Sequence, residues 1–109
     1  MTSVSSTYNS NNHNLYFSKS ELSKILNCYS LGVSNGNWKD YAVNFNSNEA
    51  IFSFYKHTLA TPDCVLMKYK EKRKKKTLFH LFINNKKNSK FENLDKLISS
   101  IKQSQISAL

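Results

Sequence analysis

The densest cluster of chemically useful side chains in this 109-residue sequence is cationic. Lys68, Lys70, Lys72, Arg73, Lys74, Lys75 and Lys76 fall in one short stretch, interrupted by a single acid, Glu71. Such a run can neutralise phosphates in a salt-dependent way. It can equally be a solvated turn whose charge discourages edge aggregation. Other chemistries find less to work with. His13, His57, His80, Cys28 and Cys64 show no metal-ligand spacing, and the two cysteines form neither a Cys-x-x-Cys motif nor a disulfide framework. The serines lack a nucleophile-elbow setting, there is no glycine-rich phosphate loop, and Asp40 has no acidic partner close in sequence. No catalytic residue, metal or cofactor is therefore expected.

Composition bounds the rest. The net charge is +9, and it lies wholly beyond residue 14, because Met1 to Asn14 contains no Lys, Arg, Asp or Glu. Such an excess favours polyanionic partners through counterion release and long-range attraction. A bland explanation competes with that one. All the basic residues but Arg73 are lysine and asparagine is abundant, as in the product of an AT-rich genome. No stretch approaches the roughly 20 apolar residues that span a bilayer, and no charged segment leads into an apolar run at the N-terminus. The expected setting is cytoplasmic, away from membrane.

These residues need elements to hold them. Residues 1–14 read as a disordered polar tail, 15–104 as one α+β domain and 105–109 as a frayed end. Ser18 and Glu21 have capping-box spacing, with Phe17 and Leu22 placed as a hydrophobic staple. Leu22, Ile25, Leu26, Tyr29 and Val33 then recur as the buried stripe of a helix ending near Asn35-Gly36, with Lys19, Ser23, Lys24 and Asn27 facing water. From Lys39 the period becomes two. Pairing Phe45 with Ala50, Val43 with Phe52 and Tyr41 with Phe54 puts all six on one face of a hairpin.

A second hairpin is predicted from Val65 to Ile83. Matching Val65, Met67 and Tyr69 with Ile83, Leu81 and Phe79 leaves Leu66, Lys68, Lys70, Leu78, His80 and Phe82 on the other face. Ser89 and Glu92 again have capping-box spacing, ahead of Leu94, Leu97, Ile98 and Ile101 at helical intervals. The sum is a two-layer α+β fold. It has an N-terminal helix, a four-stranded antiparallel sheet from two hairpins, and a C-terminal helix on the same face, that of Val43, Phe52, Met67 and Leu81.

The order Glu21-Leu22, Ile25-Leu26, Tyr29, Val33, Gly36-x-Trp38-Lys39-Asp40-Tyr41-Ala42-Val43 and Ala50-Ile51-Phe52-Ser53 resembles the bacterial, chiefly alphaproteobacterial, family called domain of unknown function 2794. The likeness covers roughly Tyr16 to Ile101 and includes a proline matching Pro62. It implies a fold and a bacterial cytoplasmic setting, but no activity. Leu31, Asn37 and Asn44 depart from the basic, Glu and Asp residues usual in the family, which weighs against a role for a ring of carboxylates.

Two surfaces remain as candidates. One is the basic turn itself. The other is the sheet face away from the helices, where Tyr55, Leu66, His80 and Phe82 are expected beside Lys68 and Lys70. Aromatics and lysines on an open sheet can hold single-stranded RNA or DNA, while an apolar open face suits a homodimer or another protein partner. The leading expectation is a small binding or adaptor protein that self-associates through this face, with nucleic-acid binding through the basic hairpin 68–76 as the alternative and a small enzyme as a third class that no motif supports. Trp38 and Asp40 admit an exposed anchor with an orienting carboxylate, or a plug at the end of the core with Asp40 bonding locally; the second suits a bulky indole beside Gly36 better.

Overall fold

In the computed structural model, which describes residues 14–58, 61–84 and 87–107, the first helix is α1, Lys19–Ser34. Its capping box closes as the spacing predicts: the Glu21 amide donates to Ser18 Oγ at 3.1 Å and the Ser18 amide to Glu21 Oε1 at 2.7 Å. Asn35 ends the helix, and Gly36 takes φ +77°, where a side chain would be strained. The buried line along α1 is Ile25, Cys28 and Gly32, flanked by partly buried Leu22, Leu26 and Tyr29. Val33, expected in the stripe, is 44% exposed. It lies one residue, about 100°, off the line through Gly32.

The first hairpin has the expected register. β1 (Asp40–Phe45) pairs with β2 (Glu49–Tyr55) through Tyr41↔Phe54, Val43↔Phe52 and Phe45↔Ala50. Asn46 builds the turn, its Oδ1 accepting from the amides of Asn48 and Glu49 at 2.8 and 2.9 Å. Phe52 and Phe54 are fully buried, whereas Tyr41 and Val43 on the outermost strand stay largely exposed.

The second hairpin differs by one residue. β3 (Cys64–Glu71) pairs with β4 (Lys76–Ile83) as Cys64↔Ile83, Leu66↔Leu81 and Lys68↔Phe79. Because side chains alternate, that single step turns all of β3 over. Cys64, Leu66 and Lys68 face the helices with Phe79 and Leu81, while Val65, Met67 and Tyr69 stand on the open face with Leu78, His80 and Phe82. The expected inward Val65, Met67 and Tyr69 and outward Leu66, Lys68 and Lys70 are corrected accordingly. The register puts Glu71 opposite Lys76, an opposite-charge pair that flanks the turn at residues 72–75.

The sheet has five strands rather than four, in the order β1-β2-β3-β4-β5. Ser89-Lys90-Phe91, read as a helix start, lies in β5 (Lys87–Phe91), with Phe91 opposite Phe79 and partly buried against the core. The cap of α2 (Leu94–Ser107) is instead Asn93, whose Oδ1 accepts from the amides of Asp95 at 2.7 Å and Lys96 at 3.3 Å. The helix extends past residue 104, the expected domain limit. Of the expected tail, residues 1–14, all but Asn14 lie outside the described residues.

Leu94, Leu97, Ile98 and Ile101 of α2 are all buried, as their spacing predicts. Together with Ile25 and Cys28 they cover Phe52, Phe54, Leu66 and Leu81. Each such side chain contributes on the order of 1.5–3 kcal/mol when removed from water, so this one-sided core carries the fold. Both helices cover one face of the sheet and leave the other uncovered.

Candidate functional site

The sequence candidates divide sharply once placed. Lys68 is 8% exposed and belongs to the core side. Its Nζ lies 2.7 Å from Glu21 Oε1 and donates to the Tyr16 carbonyl at 2.8 Å. Partial burial works against the Glu21 charge. The Lys68 hydrogen bond, the Ser18 amide and the Lys68 charge outweigh it and hold the carboxyl below its ordinary value of 4.5. One carboxylate thus caps α1 and ties the helix to β3. Leu66 is fully buried, so neither it nor Lys68 is on the open face.

Trp38 is also structural in its placement. It is 2% exposed, its ring centroid 4.4 Å from that of Phe54, and its Nε1 donates to Asp63 Oδ2 at 3.2 Å. Asp40 bonds locally, accepting from the Tyr41 amide at 2.8 Å. Tyr29 packs between Trp38 and Tyr41, with centroids at 6.3 and 4.9 Å. Burial raises the Cys28 and Cys64 thiols above their ordinary value of 9.0, Lys102 opposing this weakly at Cys28 and Asp63 adding to it at Cys64. Both therefore stay as thiols near neutral pH, unsuited to nucleophilic attack. Among the described residues no group of three or more His, Cys, Asp and Glu could hold a metal ion, and no helix is long and apolar enough to cross a membrane.

Of the cationic candidates, Lys70, Lys72, Arg73, Lys74, Lys75 and Lys76 are exposed, at the end of the β3–β4 hairpin. Lys75 takes φ +53° in the turn. Among the described residues the ion pairs are Lys24–Asp95, Lys68–Glu21 and Lys76–Glu92, so acids engage Lys68 and Lys76 but none of the five from Lys70 to Lys75. That leaves a hairpin end with uncompensated positive charge.

Beside it runs the open face. Tyr55, His80 and Phe82 are there, half-buried, as the sequence predicts. The shifted register adds Val65, Met67 and Tyr69, and β5 adds Lys90 directly opposite His80. The rings of Tyr69, His80 and Phe82 form a row, with centroid separations of 6.2 and 4.3 Å. A depression of about 350 Å³ lies at the basic end of this row, lined by Met67, Tyr69, Lys70, Lys72, His80 and Lys90. Glu49, opposite Tyr69 on β2, is the acid in the same lining. Tyr69 and Lys90 are the residues that sequence reasoning missed. The local sequence signal for this register is weak: it sets Glu71 opposite Lys76, where the expected one would set Lys72.

The model of the family described as Protein of unknown function (DUF2794) matches residues 15–92, which takes in α1 and all five strands and ends before α2. No curated protein and no solved structure matches the chain.

Proposed function

The chain belongs to this family of proteins of unknown function, and from that premise we propose that it is a non-catalytic nucleic-acid-binding protein acting through its β3–β4 hairpin and the adjoining open face. The carrying observation is the excess charge of Lys70, Lys72, Arg73, Lys74 and Lys75: Glu71 is the single acid within the run, and the other acids of the fold are paired elsewhere or hydrogen-bonded locally. A polyanion supplies the missing countercharge, and releasing its condensed ions drives association. Replacing Lys72, Lys74, Lys75 and Lys76 with Ser is expected to remove most affinity for an RNA or DNA oligonucleotide, measured by fluorescence anisotropy. The slope of log affinity against log salt should fall by about 2–3 in magnitude, three of these four lysines being free of an acid. Equal binding by wild type and variant contradicts the proposal.

Self-association is a second reading, favoured by Val65 and Phe82, which stand opposite one another on the open face with Ile51 nearby on β2. An apolar sheet face of this kind suits an isologous dimer. It predicts a dimer by light scattering that Phe82→Lys converts to a monomer. A mass that stays monomeric at all concentrations contradicts it. Bringing two chains of charge +9 together is the opposing term, which places this reading second.

A further inference from the structure

Binding of a polyanion at the hairpin does not by itself say whether the ligand is a duplex or a single strand. Resting on the nucleic-acid reading, we infer that the ligand is single-stranded, its bases stacking along Tyr69, His80 and Phe82 while its phosphates lie on Lys70, Lys72 and Lys90. A duplex buries its base faces in its own stack and offers a protein only groove edges and backbone. An unpaired strand presents π-faces that need apolar, flat partners, and it carries the same backbone charge.

The surface offers both in register. Tyr69 on β3 and His80 on β4 are diagonal neighbours, and Phe82 follows His80 on the same face two residues on. Lys90 sits across from His80 on β5, and Lys70 and Lys72 border the same depression at its hairpin end. Cations therefore stand on the β5 side of the ring row and at its hairpin end. The countercharge of these lysines is what selects a nucleic acid over an apolar protein surface as the occupant. Glu49, directly opposite Tyr69 on β2, repels phosphate locally and directs the backbone toward β5 and the hairpin end.

The distinguishing residues are the rings, since phosphate contacts alone make no difference between strand states. Tyr69→Leu and Phe82→Leu keep apolar bulk on the sheet but delete the π-face, and Tyr69→Phe with Phe82→Tyr keeps it. The probes are a uridine 12-mer, a thymidine 12-mer, a 12-base-pair DNA duplex and inorganic polyphosphate, each titrated with the full chain after thermal melts confirm folding. Each Leu variant is expected to weaken both single strands by roughly five- to a hundred-fold, leaving duplex and polyphosphate unchanged, while the Phe/Tyr exchange restores binding. The two 12-mers separate RNA from DNA as the source of the strand.

Duplex binding as tight as single-strand binding, with Leu variants that match wild type, overturns this inference and leaves the nucleic-acid reading standing. Failure of every nucleic-acid probe overturns both. A dimer that blocks the face, seen as concentration-dependent mass together with no binding, likewise overturns both in favour of self-association.

Discussion

Gly32→Ala is expected to destabilise the fold by about 2–3 kcal/mol, although the same change in an open helix gains about 1 kcal/mol. A Cβ at Gly32 would stand 2.2 Å from Trp38 Cε3 and 2.6 Å from Cζ3. The ring cannot step aside easily. Its other side packs on Phe54, and its Nε1 is held by Asp63. Either α1 lifts off the sheet or the indole leaves its seat, and both open space in a packed core. The melting temperature should fall on the order of 10–20 °C for a domain of this size.

Gly36 provides the control. Its position has no atom within 4 Å of an added Cβ, so Gly36→Ala should lose only the backbone strain of φ +77°, about 1 kcal/mol. A Gly32→Ala protein that melts with the wild type would contradict the seating of Trp38 against α1. Combining Gly32→Ala with Trp38→Leu should recover part of the loss, because the smaller side chain makes room for the methyl.

Lys68→Met should also be costly, by about 2–3 kcal/mol, somewhat under the 3–5 kcal/mol typical when a fully buried pair is broken. The side chains of Lys68 and Glu21 are 11% and 22% exposed, so water screens the remaining carboxylate in part. Met fills the volume but leaves Glu21 without its cation and the Tyr16 carbonyl without its donor. Glu21→Gln strands the lysine instead, while preserving the cap, since glutamine also serves in a capping box. The double variant should lie closer to wild type than the sum of the singles, which a thermodynamic cycle measures directly.

The pair also makes stability depend on pH. The folded Glu21 carboxyl ionises below its ordinary 4.5, so its contribution is complete above that value. It is lost as the pH falls through 4.5 and on through the lower folded value. Denaturant midpoints of wild type should therefore drop more steeply below pH 4.5 than those of Lys68→Met. Parallel curves would mean that the ion pair contributes nothing.

The contrast between the hairpins shows where sequence patterning is sufficient. In the first, Tyr41, Val43 and Phe45 alternate with polar residues or alanine, and the Asn46 turn fixes the offset, so one register satisfies everything. In the second, Leu78 to Ile83 is apolar on both faces, and β3 offers Cys64 and Leu66 on one side against Val65, Met67 and Tyr69 on the other. Hydrophobicity cannot decide between those sides. The deciding contact is Lys68 with Glu21, 47 residues apart in sequence and formed only when α1 docks. A lysine inside is unreadable without its partner.

β5 was hidden for a related reason. Its residues are polar apart from Phe91, its Ser89 and Glu92 imitate a helix cap, and its strand state depends on pairing with β4. α2 was legible because four apolar residues at helical spacing suffice to define a face, whatever caps it. The candidate site was half visible on the same logic. The cationic run is local and could be read directly, as could His80 and Phe82. Tyr69 and Lys90 joined them only through the corrected register and the fifth strand.

The central claim is that the hairpin end of the sheet binds nucleic acid by charge. Its most direct test is a salt titration of the full chain with a fluorescent single-stranded 12-mer. Five phosphate contacts, one for each hairpin cation left without an acid, predict a slope near −3.5 on a double-logarithmic plot, about a hundred-fold loss of affinity between 50 and 200 mM salt. Affinity that stays constant across that range, or no binding at 50 mM, would contradict it.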